Sequence, residues 1–154
     1  MTFTMPRPGP EHAFLARMAG RFTGRETMCN PAWSPEMQEH TSTVTARVLD
    51  GFFVVTDYEQ SSAGRVTFRG HGVYGWDPHA SRYMMYWFDS MGGPGGVATG
   101  TVEGDVLTFE NTSPLGRQRY RYTFGADGYT FEMALAPDGG DWTTLMTGDY
   151  RPAP

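Results

Sequence analysis

The stretch LDGFFVVTDYEQSSAGRVTFRGHGVYGWDPHASRYMMYWFD, residues 49–89, decides the fold. Its runs of valine, threonine and aromatic side chains are broken by short joints, Leu49-Asp50-Gly51, Ser62-Ala63-Gly64 and the turn after Asp77. The first two joints have the turn chemistry of tight hairpins, so the runs they connect should pair as antiparallel strands.

Working outward, the same pattern predicts strands near 21–29, 42–49, 52–60, 65–76, 82–89, 97–103, 105–112, 117–125, 128–136 and 141–151. Glu103-Gly104-Asp105 and Ala126-Asp127-Gly128 supply further hairpin joints. About ten strands exceed what a flat twisted sheet holds, so the sheet must curl into a barrel or split into a sandwich. Gly70, Gly72 and Gly75 favour the barrel, since glycine within a strand marks a bend, a bulge or a close approach. Gly70 and Gly72 share a face, and if that face is the inner one it leaves room for a guest. Two connections are longer. NPAWSPEMQEH, residues 30–40, is expected to close the barrel mouth, and MGGPGG, residues 91–96, is rich in glycine.

Ahead of the strands, EHAFLARMAG places Phe14, Leu15 and Met18 on one stripe, with Pro10 where a first helical residue tolerates proline and Gly20 as the stop. One short amphipathic helix is expected over about residues 10–19, followed by a barrel over 20–151, all within a single domain 1–154.

Composition narrows the function. A formal charge of −5 supplies no cationic field for nucleic acid or an anionic membrane. The basic residues are all arginine, with no lysine and no isoleucine, a bias that fits a GC-rich bacterial coding sequence. Cys29 stands alone, which excludes an internal disulfide and a cysteine-rich metal cage. MTFTMPRPGPEH lacks the basic start and apolar run of a signal peptide, and no stretch reaches membrane-span length, so a cytoplasmic protein is expected.

The succession GRFTG, LDGFFVVTDYEQ, VTFRGHGVYGWDP, RYMMYWFDSMG and TGDYR resembles an uncharacterised bacterial domain-of-unknown-function family of the calycin superfamily, whose distant relatives include lipocalins, fatty-acid-binding proteins and nitrobindins. The resemblance runs from the helix to Arg151 and implies a lipocalin-like, antiparallel up-and-down β-barrel. It departs from the superfamily at Gly20-Arg21-Phe22, where phenylalanine replaces the usual tryptophan; Phe22 is expected to plug the closed end with Arg151 over its ring. Nitrobindin-like relatives imply haem held by a late histidine. Here the histidines are His12, His40, His71 and His79, so the matching position is empty, haem is not carried over, and only a different ligand such as His71 would serve.

In RYMMYWFDS, Tyr83, Met85, Trp87 and Asp89 face one way and Met84, Tyr86, Phe88 and Ser90 the other, so both faces are apolar. One lines the interior. The other needs cover from a second copy of the chain, from the helix or from the 30–40 loop, and a homodimer is the expectation. Arg117, Arg119 and Arg121 share a face opposite Tyr120, Tyr122 and Phe124; inward, they would hold a carboxylate or phosphate, and outward they form a solvated stripe over an aromatic interior.

No nucleophile elbow, HExxH, phosphate loop or dinucleotide fingerprint is present. Three functions follow. The first is binding of a small, largely hydrophobic ligand, with candidate contacts taken from both strand faces: Arg69, His71, Tyr74, Trp76, Met85, Tyr86, Trp87, Arg119 and Arg121. The second is a barrel enzyme of isomerase or lyase type centred on His71 with Asp57 or Asp89. The third is an interaction module with a filled barrel. No metal or cofactor is expected.

Overall fold

Asp50 and Gly51 both take positive φ, 50° and 80°, and Ala63 and Gly64 do the same at 51° and 76°. Such paired left-handed residues match the twist of antiparallel strands: Ala63-Gly64 makes a two-residue hairpin between the paired Ser62 and Arg65, and Asp50-Gly51 opens a three-residue joint between the paired Leu49 and Phe53. A computed structural model describes residues 1–30 and 34–154. After a helix α1 (Pro10–Leu15) and a 3₁₀ turn (Ala16–Met18) come ten strands: β1 (Gly20–Asn30), β2 (Ser34–Leu49), β3 (Phe53–Ser62), β4 (Arg65–Asp77), β5 (Arg82–Asp89), β6 (Gly96–Glu103), β7 (Val106–Ser113), β8 (Gly116–Gly125), β9 (Gly128–Ala136) and β10 (Thr143–Pro152).

Each strand pairs antiparallel with its sequence neighbour, and β1 pairs with β10 from Phe22 opposite Pro152 to Met28 opposite Met146. The sheet is therefore a closed up-and-down barrel with no unpaired edge, the expected architecture. No helix among the described residues is long and apolar enough to cross a membrane.

One end is plugged. Leu15, Met18 and Phe22 are buried there, and Phe22 meets Tyr129 edge to face at 5.1 Å. The expected cation over this plug is a different residue. Arg151 turns outward to Asp149, whereas Arg17 lies over the rings of Phe14 and Phe124, at 5.4 and 5.3 Å, and reaches Asp105 at 2.8 Å. The helix is also shorter than expected, because the chain tightens into the 3₁₀ turn after Leu15 and Gly20 already begins β1.

The opposite end differs from expectation in its longest connection. Residues 34–40 are not loop but the first part of β2, opposite the end of β1. The ladder skips between Asn30 opposite Ser34 and Met28 opposite Gln38, so Pro35 falls where no ladder hydrogen bond is required of it. Residues 31–33, including Trp33, lie outside the described residues, and the expected closure of the mouth at that point rests on them.

Candidate functional site

Strand parity sorts the barrel into an inner and an outer set. On β5, Tyr83 and Met85 are buried and Trp87 and Asp89 half-buried, while Tyr86 and Phe88 are exposed. On β4 the inward residues are Gly70, Gly72, Tyr74 and Trp76. The glycines do not leave a vacancy. A Cβ on Gly70 would lie 2.2 Å from the Trp87 ring, and one on Gly72 3.1 Å from it, so the missing side chains seat the indole. Trp87 is then fixed by its Nε1–H, which donates to Asp89 Oδ2 at 2.8 Å, while Asp89 Oδ1 accepts the Met91 amide at 2.9 Å.

Between the plug and the far rim lies a cavity of about 650 Å³. Met18 and Tyr129 floor it, aromatic and methionine side chains such as Tyr74, Met85, Trp87 and Phe131 wall it, and Met91–Gly96 borders its outlet. A second depression, about 520 Å³, lies on the outer wall among Arg25, Thr123, Thr130 and Asp149; these are exposed and polar and enclose nothing.

The cavity wall is braced by a buried carboxylate. Glu26 follows Phe22 and Gly24 on the inner face of β1 and is 2% exposed. Tyr58 Oη lies 2.7 Å from both of its oxygens, Gln60 Nε2 donates to Oε1 at 3.2 Å, and Tyr150 Oη donates to Oε2. An amide Nε2 has only protons to give, so the cluster has the donor pattern of an ionised carboxylate. Burial, then the Glu26 charge, pushes the Tyr58 and Tyr150 phenols far above their ordinary range. Deeper in, Tyr74 and Tyr122 share a hydroxyl hydrogen bond at 2.9 Å; burial pushes Tyr74 up to about 12 and Tyr122 well up also. These phenols stay protonated at neutral pH and do not act as bases. His40, opposite Glu26 on β2, keeps its Nδ1 buried without a partner among the described residues, as does the hydroxyl of Thr56 on the cavity wall.

Of the sequence candidates, Tyr74, Met85 and Trp87 line the cavity, with Asp89 at its rim. Trp76 points inward but packs on Tyr83 at 4.8 Å, apart from the cavity lining. The others face outside, because each sits one residue out of phase with the inner set. Arg69 meets Glu59 at 3.7 Å. Tyr86 is 38% exposed. Arg119 and Arg121 reach Glu132 at 3.1 and 4.0 Å, and Arg119 lies over the Trp142 ring at 4.4 Å, as Arg117 does at 4.9 Å. The arginine stripe is thus the outer face over an aromatic interior, and no arginine among the described residues lines the cavity.

His71 and Asp57 do meet, Nδ1 to Oδ1 at 2.8 Å, but on the outer wall, with 45% and 73% of their side chains exposed. Asp89 belongs to the opposite face. The enclosed acid–base pair required of a His71-centred enzyme is absent there, and an outward His71 does not fit haem held inside the barrel. Nor is the barrel filled, as the interaction-module alternative expected.

Sequence reasoning missed Glu26, Tyr58, Gln60 and Tyr150. The signal for the first was present: with Phe22 taken as the plug, Glu26 four residues on shares its face.

Residues 7–152 match DUF1579, described as a protein of unknown function. The chain belongs to that family. No curated protein shows significant similarity to it. Among solved structures, this DUF1579 member is similar to Rv2717c from M. tuberculosis (TM-score 0.70, 13% identity, covering 96% of this chain and 100% of that one). It is also similar to the S-type phycobiliprotein lyase CPES from Guillardia theta (TM-score 0.68, 14% identity, 94% and 93%). At such identities the likeness is one of fold alone.

Proposed function

We propose that this DUF1579 member is a binding protein that takes one small, largely apolar molecule into its barrel. The observation that carries the proposal is the cavity of about 650 Å³, within the range of roughly 300–1,000 Å³ usual for ligand pockets. Its aromatic rings and methionines supply apolar contact, and the methionines adapt to irregular shapes. The fold of a protein named as a phycobiliprotein lyase is in keeping with a barrel that receives a guest. Native mass spectrometry of protein purified from its own source tests this: a defined non-covalent adduct is expected, and a bare chain from several growth conditions, with no binding of apolar dyes, would refute it. The same sample is expected to show no haem absorbance.

A second copy of the chain is proposed as the cover for the outer apolar face. Phe88 and Val97 are each 51% exposed, and Tyr86 pairs in register with both Val73 and Val97, which makes the patch continuous across β4, β5 and β6. Sedimentation should give a dimer that Phe88→Glu converts to monomer; a monomer of 17.1 kDa at high concentration would remove this part.

A further inference from the structure

The charges near the cavity are of one sign. Every one of the twelve arginines lies outside its lining, and the carboxylates on its two sides are Glu26, behind the wall, and Asp89, at the rim. A receptor for fatty acids or phosphates needs an inward cation, and this barrel turns its arginines to the outer wall.

Beside the amides of Gln60, Asn111 and Gln118, which both donate and accept, the polar atoms on the wall are biased toward acceptance. Tyr58 and Tyr150 commit their protons to Glu26 and so have only lone pairs left to offer, and Tyr58 Oη already accepts Gln60 Nε2 at 3.2 Å. Asp89 accepts one hydrogen bond on each oxygen, from Trp87 and from Met91, and each oxygen keeps capacity for another. The Thr56 hydroxyl, on a residue 5% exposed, lines the cavity with no partner among the described residues. Around these atoms stand the rings of Tyr58, Tyr122, Tyr129, Trp87 and Phe131; aromatic rings attract a cation over their faces.

We propose that the ligand of this cavity is an apolar molecule carrying a protonated nitrogen, such as an aromatic or alkyl ammonium, held by the aromatic wall with Glu26 and Asp89 as its counter-charges. This rests on the binding function proposed above and specifies the ligand's chemistry. The role of Glu26 is indirect: it holds the phenols of Tyr58 and Tyr150 in place and contributes charge through them. Asp89 is the carboxylate a guest would touch directly.

A matched trio of fluorescent probes at neutral pH tests it: anthracenylmethylammonium, anthracenylmethanol and anthracenecarboxylate share one ring system and differ in charge. Fluorescence titration of the full chain should show the ammonium binding roughly tenfold tighter than the alcohol and the carboxylate weakest, the advantage expected of a partly desolvated cation–π site. Asp89→Asn should cut the ratio of ammonium to alcohol affinity several-fold, since loss of the charge acts on the ammonium alone while any movement of Trp87 acts on both probes; Glu26→Gln should act in the same direction where it folds. Asp57→Asn, on the outer wall, should change nothing. An alcohol or carboxylate bound as tightly as the ammonium, or a preference untouched by Asp89→Asn, would overturn the assignment and leave the binding function standing. Failure of all three probes to bind would bring down both.

Discussion

Two of the barrel's hydrogen-bonded carboxylates, Glu26 and Asp57, stand on opposite sides of the same wall. Inside, Glu26 is 2% exposed and held by Tyr58, Gln60 and Tyr150. Outside, Asp57 pairs with His71 at a similar distance, but with 73% of its side chain exposed. On geometry alone the outer pair looks like the chemical centre, since it joins an imidazole to an acid. Environment reverses the ranking: water competes with and screens the outer pair, while the inner cluster has no solvent to replace any partner it loses. A hydrogen bond of ordinary length therefore says little until its surroundings are known.

That contrast can be broken most forcefully at Glu26. Glu26→Ala strands two phenols and an amide, and denaturant unfolding should show a loss of about 3 kcal/mol or more. A variant as stable as the parent would mean that water satisfies the cluster. Raising the pH attacks the same interior through its tyrosines. Their folded-state pKa values lie above the ordinary value of 10, so their contribution is fully present below pH 10 and is lost as pH rises through the folded value, about 12 for Tyr74. For Tyr74 alone this is roughly 2–3 kcal/mol; denaturant midpoints that hold steady from neutrality to pH 12 would contradict it.

Gly70→Ala sharpens the comparison by disturbing the inner wall without touching a charge. The added methyl would sit 2.2 Å from the Trp87 ring, and its displacement should cost roughly 1–3 kcal/mol and shift the tryptophan fluorescence. The smallest effect is expected outside. Asp57→Ala should cost at most about 1 kcal/mol and leave probe binding as it was; a large change in either would return the His71 pair to consideration.

The fold was legible because its signals are local. Asp50-Gly51 and Ala63-Gly64 declare their turns through the conformations they tolerate, and short joints dictate antiparallel neighbours. Strand extent was less so: the polar run of residues 34–40 extends because β1 lies beside it, not because its own side chains prefer to. The site was half legible. Alternation makes Met85 and Trp87 companions and excludes Tyr86 between them, yet both apolar faces of β5 looked fit for the interior, and only closure of the barrel decides. The same phase places Arg69, His71, Arg119 and Arg121 outside. Glu26 escaped notice because its partners come from β3 and β10, distances along the chain over which no spacing rule operates.

The rung from Phe22 to Pro152 joins segments separated by nearly the whole chain. Such a contact is slow to form, since the loop it closes must lose its freedom before anything is gained. Until β10 arrives, β1 and β9 each present a bare rim to any other partly made molecule, so maturation of this barrel should be concentration-sensitive and dependent on the ten residues of β10.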